Sequence, residues 1–163
     1  MPDLDAAAVV RVLNRHRVDY VVIGGMAALL HDLPVPATED IDVTASRRRA
    51  NLERLAQAFE ELEAGLYTSE AGGSWFPRVP VENWAQYDTL HLMTRFGAVD
   101  IVFAPDGAPG GFGDLKGGSV QLTVEDERVR VVTPATWESL KQASGRAKDL
   151  AHLEQYWEWR DRG

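Results

Sequence analysis

Apolar residues recur at helical spacing from Leu4 to Arg17, with Val9, Val10, Val12 and Leu13 on one stripe, so the chain is expected to open with an amphipathic helix ending near Val18. Tyr20-Val21-Val22-Ile23 is continuous and largely β-branched, the pattern of a buried strand. Gly24-Gly25 interrupts it, and residues 26–31 read as a short helix. Pro34 and Pro36 impose an extended loop. Asp40-Ile41-Asp42-Val43 alternates polar and apolar positions, which predicts a strand with one apolar face. From Arg47 to Ala64 the stripe Leu52, Leu55, Ala56, Phe59 and Leu62 predicts a longer helix. A loop containing Gly and Pro follows at 72–80, then two strands, Tyr87 to Arg95 and Val99 to Phe103, forming a hairpin around Gly97. Residues 104–118 are rich in Gly and Pro and read as a loop, and Val129-Arg130-Val131-Val132 reads as a short strand. Thr133 and Pro134 are N-cap and first-turn residues of a helix running to Ser144. Gly145 separates it from a last helix, Arg146 to Arg160. The expected architecture is α/β (α+β): a mixed sheet flanked by helices, with a helical carboxy-terminal segment at 134–161, in one domain spanning 1–163.

Composition narrows the setting. The chain has 163 residues, 45% of them hydrophobic, enough to bury a core without staples, and it has no cysteine, which removes disulfides and thiolate chemistry. The amino terminus carries Asp3 and Asp5 in place of a basic signal-peptide segment. The longest apolar run, Val21 to Leu30, is broken by two glycines and too short to span a bilayer. A cytoplasmic protein that does not engage membranes is expected. The net charge of −8 argues against broad, non-specific binding of nucleic acid. It suits a protein that gathers carboxylates around cations.

Residues two apart on a strand point to the same side, so Asp40 and Asp42 stand side by side and repel unless a cation lies between them. Magnesium prefers a few carboxylates together with substrate phosphates over a full protein cage. Asp100 interrupts the apolar strand Val99-Asp100-Ile101-Val102-Phe103. If that strand pairs beside the first acidic one, three carboxylates converge and can hold two metals, which steer an attacking oxygen and stabilise a leaving phosphate. Read singly, Asp40 and Asp42 also suit a solvent-facing sheet edge, and Asp100 a strand end. Gly24-Gly25 stands at a strand-to-helix junction, where missing side chains and a helix amino terminus would admit a phosphate. An ordinary tight turn accounts for the same pair.

Taken together, GGMAALLHDLPVPATEDIDV resembles the signature of the DNA polymerase β-like nucleotidyltransferase superfamily, and within it the bacterial AbiEii-like toxins and their uncharacterised relatives. Gly24, Gly25, Ala27, His31, Thr38, Asp40, Ile41 and Asp42 carry the likeness, Asp100 matches the third acid, and LKQASGRAKDLAHLEQY resembles the carboxy-terminal motif through Lys141, Arg146, Lys148 and Asp149. The resemblance spans residues 18 to 157. It implies a nucleotidyltransferase fold and an enzyme that moves a nucleoside monophosphate from an NTP to an acceptor hydroxyl on tRNA, protein or a small molecule. Asp40, Asp42 and Asp100 would be catalytic and bind Mg²⁺ (or Mn²⁺). Gly24, Gly25, Thr38, Lys141, Arg146, Lys148 and Asp149 would surround the nucleotide, with Lys141 directed at its phosphates. A toxin role with an antitoxin partner belongs to the same resemblance. A catalytically silent relative serving as a binding module or antitoxin is the rival reading. Two positions depart from the pattern: Pro36 stands where an Arg is frequent, and Asp32 where a Gly follows the His.

Other features read as structural. GGFGDLKGGS looks like a phosphate loop but places Lys116 before its last glycines and misses both glycine templates. An EF-hand starting at Asp40 fails at Ala45 and Asn51. Arg47-Arg48-Arg49 reads as a solvated cluster, with contact to an RNA or phosphate acceptor as the alternative. Trp75 and Trp84 suit packing or stacking on an acceptor base, and His91 reads as a sheet residue.

Overall fold

The computed structural model describes residues 2–67, 75–76, 84 and 87–163. Helix α1 (Ala6–Arg15) leads into strand β1 (Tyr20–Ile23), α2 (Gly24–Leu30), β2 (Asp40–Ala45), α3 (Arg49–Glu61), β3 (Gly65–Tyr67) and β4 (Trp75–Phe76). There follow β5 (Thr89–Thr94), β6 (Gly97–Val102), a helical turn α4 (Phe112–Leu115) continued by a 3₁₀ turn at Lys116–Gly118, β7 (Ser119–Val124), β8 (Glu127–Val132), α5 (Pro134–Ser144) and α6 (Ala147–Arg162). Among the described residues the strands form one sheet in the order β4-β3-β5-β6-β2-β1-β8-β7. It is mixed: β2 runs parallel to β6 and β1 parallel to β8, and the other neighbours are antiparallel. The α/β expectation holds.

Local chemistry explains the boundaries. Asp5 caps α1 by accepting the Ala8 N–H at 3.0 Å, and Arg17 turns the chain through a left-handed conformation (φ 56°), so the helix is shorter at both ends than its apolar stripe suggests. The α5 cap is the expected one: the Thr133 hydroxyl accepts the Thr136 N–H, Pro134 opens the helix and Gly145 closes it in the left-handed region. The core is continuous. Val9, Leu13, Val21, Val22, Ile41, Leu55 and Ile101 are buried in it, and Trp137 of α5 and Leu153 of α6 anchor the carboxy-terminal helices to the same cluster.

Four elements, β7, β3, α4 and β4, differ from the pattern above. Residues 119–124, to which that pattern assigns no element, form β7, tied to β8 by a hairpin whose corner residues Glu125 (φ 46°) and Asp126 (φ 70°) both have positive φ. That turn favours Asn-Gly, so Glu-Asp hides it. Gly65–Tyr67 is too short to show a period, yet pairs with β5. Within the Gly- and Pro-rich stretch, Phe112–Leu115 makes one helical turn that buries Leu115. Apart from β4, the loop expected at 72–80 lies outside the described residues.

Candidate active site

β1 and β2 run antiparallel with Ile23 opposite Asp42, and β6 runs parallel on the far side of β2 with Asp100 opposite Asp42. Partners across a ladder share a face, as do residues two apart. Asp40, Asp42 and Asp100 therefore converge, and one carboxylate oxygen from each lies within 4.8 Å of the others. All three are half-buried.

This proximity has an electrostatic consequence. Burial first, then the charges of Asp40 and Asp100 and a hydrogen bond with Asp100, push the Asp42 carboxyl up to about 8 from an ordinary value of 3.8, while the Lys141 charge pulls it down. Without a cation, burial and the neighbouring carboxylates favour the protonated form of Asp42. Its Oδ1 is buried with no hydrogen-bond partner among the described residues. A buried carboxylate oxygen without a donor is an unfavourable arrangement that a bound cation relieves. Three hard oxygen donors suit Mg²⁺ or Mn²⁺.

The surroundings fix the cluster. The Thr38 hydroxyl lies 3.0 Å from the Asp40 carbonyl and 3.1 Å from its Oδ1, holding the carboxylate at the strand entrance. Gly24 has φ +66°, and a Cβ there would meet Asp42 Oδ2 at 2.5 Å, so position 24 needs glycine for its conformation and for clearance. Gly25 is less constrained: a Cβ would sit in ordinary contact with Thr38, 3.4 Å from its Cβ. His91, which the strand pattern marks only as a sheet residue, pairs with Asp100 across the β5–β6 ladder, its Nδ1 2.8 Å from Asp100 Oδ1. With Asp100 ionised, the ring N–H donates. No local motif announces His91; its register opposite an acid does.

The carboxy-terminal motif is organised around Asp149. Lys141 Nζ lies 2.7 Å from Asp149 Oδ1, Ser144 Oγ donates to Oδ2, and Arg146 Nε stands 3.9 Å from it. Burial alone would raise the Asp149 carboxyl, but hydrogen bonds from Lys141 and Ser144 and the charges of Lys141 and Arg146 hold it below its usual range. His152 is shifted down by burial and by Lys141 and Lys148. Among the described residues, no hydrogen bond or ion pair joins Lys141, Arg146, Lys148 or Asp149 to the three acids. The connection is the Lys141 field acting on Asp42.

The remaining sequence features resolve individually. His31 Nε2 donates to the Val132 carbonyl at 2.8 Å, tying the end of α2 to β8. Asp32 has φ +56°, which explains a preference for glycine there; aspartate tolerates that region. Pro36 lines an open cleft with Trp159 and Arg162 of α6. Arg47 is engaged by the Tyr87 carbonyl and Asp88, and Arg49 by Glu53, which leaves Arg48 as the member of the cluster without an acidic partner among the described residues. Trp84 is 1% exposed and packs on Phe59, which rules out stacking on an acceptor base; the Trp75 side chain lies outside the described residues.

No protein-family model matches the chain, and no curated protein matches it in sequence. Solved structures do. A Thermotoga maritima protein assigned as a nucleotidyltransferase aligns with TM-score 0.57 at 14% identity over 96% of this chain and 91% of that one. The lincosamide antibiotic adenylyltransferase LnuA, bound to lincomycin, aligns with TM-score 0.59 at 13% identity over 94% and 97%. The chain has a nucleotidyltransferase fold. The antibiotic-resistance factor ANT(2'')-Ia shares it, with TM-score 0.54 at 12% identity over 92% of this chain and 79% of that one. On this nucleotidyltransferase fold the three acids occupy two adjacent parallel strands beside the Gly24 turn. Among the described residues, no helix is long and apolar enough to cross a membrane.

Proposed function

We propose that the chain is a nucleotidyltransferase that moves a nucleoside monophosphate from an NTP to an acceptor hydroxyl. One observation carries this reading: the convergence of Asp40, Asp42 and Asp100, with a buried Asp42 oxygen that has no donor, on this fold. The acceptor oxygen attacks the α-phosphorus in line, the bond to the bridging oxygen breaks, and pyrophosphate leaves with the bonding electrons. Asp40, Asp42 and Asp100 would hold Mg²⁺ or Mn²⁺, which when bound supplies charge stabilisation for the attacking and leaving oxygens. Asp100, hydrogen-bonded by His91, would accept the acceptor's proton. Thr38 orients Asp40, and Gly24 keeps the approach to Asp42 open. Lys141 contributes positive charge toward the nucleotide while Asp149 fixes its position, with Arg146 and Lys148 at the outer edge.

The acceptor is a small molecule, a tRNA or a protein hydroxyl; lincomycin in the LnuA structure is an instance of the first class. Incubating purified protein with each α-labelled NTP, Mg²⁺ and separate small-molecule, RNA and protein fractions tests the reading. Label should enter one fraction with Mg²⁺ and not with EDTA. No transfer from any NTP to any fraction would favour the silent binding module. The toxin role, with its antitoxin partner, is a separate proposal. It predicts growth arrest on expression of the wild type and not of Asp42→Asn.

A further inference from the structure

We propose that a cationic groove at the far end of β1 from the carboxylates is a second ligand site, which binds a phosphate-bearing anion. The groove encloses about 430 Å³ and is lined by Arg48, Lys116, Arg128 and Arg130, with Tyr20 and Gly113 among its walls. It shares no residue with the acid cluster. Tyr20 and Ile23 are the two ends of β1, so the groove begins roughly 10 Å from Asp42 along the strand direction.

Three segments of the chain supply the charge. Arg128 and Arg130 are two apart on β8 and share a face, Lys116 comes from the 3₁₀ turn after α4, and Arg48 immediately precedes α3. The sole acid in the lining is Asp19, and it is already engaged by Arg54 at 3.5 Å. Among the described residues, no carboxylate lies within 4.0 Å of any of the four cations. Elsewhere the same chain pairs Arg11, Arg15, Arg47 and Arg49 with acids. With a net charge of −8, carboxylates are not scarce. Grouping four like charges without partners costs stability, unless an anion joins them.

Arg130 makes the arrangement specific. It is half-buried, and Nη1 donates to Ser119 Oγ at 3.1 Å, while that hydroxyl donates onward to the Lys116 carbonyl at 2.6 Å. The guanidinium is thus held by a neutral acceptor with most of its donors uncommitted. A fixed guanidinium fork matches two oxygens of one phosphate, and neighbouring lysine and arginine charges suit a group carrying two or more negative charges. The segment GGFGDLKGGS, which fits neither phosphate-loop template, forms one wall. At Gly113 a Cβ would meet nothing within 4 Å, so backbone is presented to open space.

The test is calorimetric titration of the full chain at low ionic strength in EDTA, where the metal-free acid cluster repels anions. Inorganic pyrophosphate is the free-anion probe, and a uridine oligonucleotide lacking terminal phosphates is the phosphodiester probe. Binding of either is expected, weakening steeply with salt, and the tighter probe identifies the source of the phosphate. The double variant Lys116→Gln with Arg130→Gln should weaken binding about tenfold or more. Gly113→Glu should do the same without removing a cation, on a helical turn with room for the side chain. Asp42→Asn should leave this binding in place, which separates the groove from the transfer site. Absence of binding for both probes, or binding indifferent to both groove variants, would overturn the proposal.

Discussion

At the Gly24 end of β1, three carboxylates lie within 4.8 Å of one another; at the Tyr20 end, four cations line a groove with no acidic partner of their own among the described residues. The Lys141–Asp149 pair, with both side chains 13% exposed, shows that this chain can neutralise charge internally when it does so. The two ends of β1 do not, and each is left complementary to a ligand of opposite sign. They differ in support. The acids project from adjacent strands, half-buried, where fields are weakly screened. The cations sit on turns and an edge hairpin, three of them exposed, where salt screens them. Perturbing the acid end should therefore produce the larger effects.

The largest is expected from Asp42→Asn. It keeps the shape and removes the charge that a cation needs, and several kcal/mol of transition-state stabilisation depend on that cation. Single-turnover rates should fall by about 10³-fold or more. Transfer at the wild-type rate would remove the acid end from catalysis.

The next effect reads the raised Asp42 carboxyl through stability. Between about pH 4 and pH 8 the metal-free folded state holds a proton that the unfolded chain has released. Stability from this group is full below the unfolded value and is lost as pH rises toward the folded one. In EDTA the Tm of wild type should fall from pH 6 to pH 8 relative to Asp42→Asn. A difference on the order of 1–2 kcal/mol corresponds to roughly 2–8 °C for a chain of this size. Mg²⁺ should reverse the trend, since it displaces the proton, and should stabilise more at pH 8 than at pH 6. A variant and wild type that titrate in parallel would show that the three acids do not repel as described.

Lys141→Ala should have the smallest catalytic effect. The metal ligands remain, and NTP affinity should weaken about tenfold, or about 1.4 kcal/mol. The structure adds a second consequence: Asp149 loses its main partner, so stability should drop by about 1–2 kcal/mol. Lys141→Arg should restore stability more fully than affinity. If affinity is unchanged while stability falls, Lys141 serves Asp149 alone.

Much of the acid end was legible in sequence because its information is local. A strand of period two puts Asp40 and Asp42 together, and Gly24-Gly25 marks the turn beside them. Asp100 needed one topological fact, that β6 lies next to β2, which periodicity alone does not supply. His91 was invisible for a related reason: its partner is fixed by hairpin register, and a lone histidine in a strand carries no such label. The cationic end was not legible. Its four charges come from positions 48, 116, 128 and 130, brought together by a hairpin whose Glu125-Asp126 corner lacks the usual turn residues. Likewise the Arg47-Arg48-Arg49 cluster looks uniform in sequence, yet a tertiary partner, Asp88, claims Arg47, a local one four residues on, Glu53, claims Arg49, and Arg48 is left to the groove.

The most direct test of the central claim is calorimetric titration of wild type and Asp42→Asn with ATP, CTP, GTP and UTP, each with Mg²⁺ and with EDTA. The carboxylate cluster predicts that at least one NTP binds wild type with Mg²⁺, that EDTA weakens this binding strongly, and that Asp42→Asn weakens it comparably even with Mg²⁺ present. No binding of any NTP by wild type with Mg²⁺, or binding that neither EDTA nor Asp42→Asn alters, would contradict it.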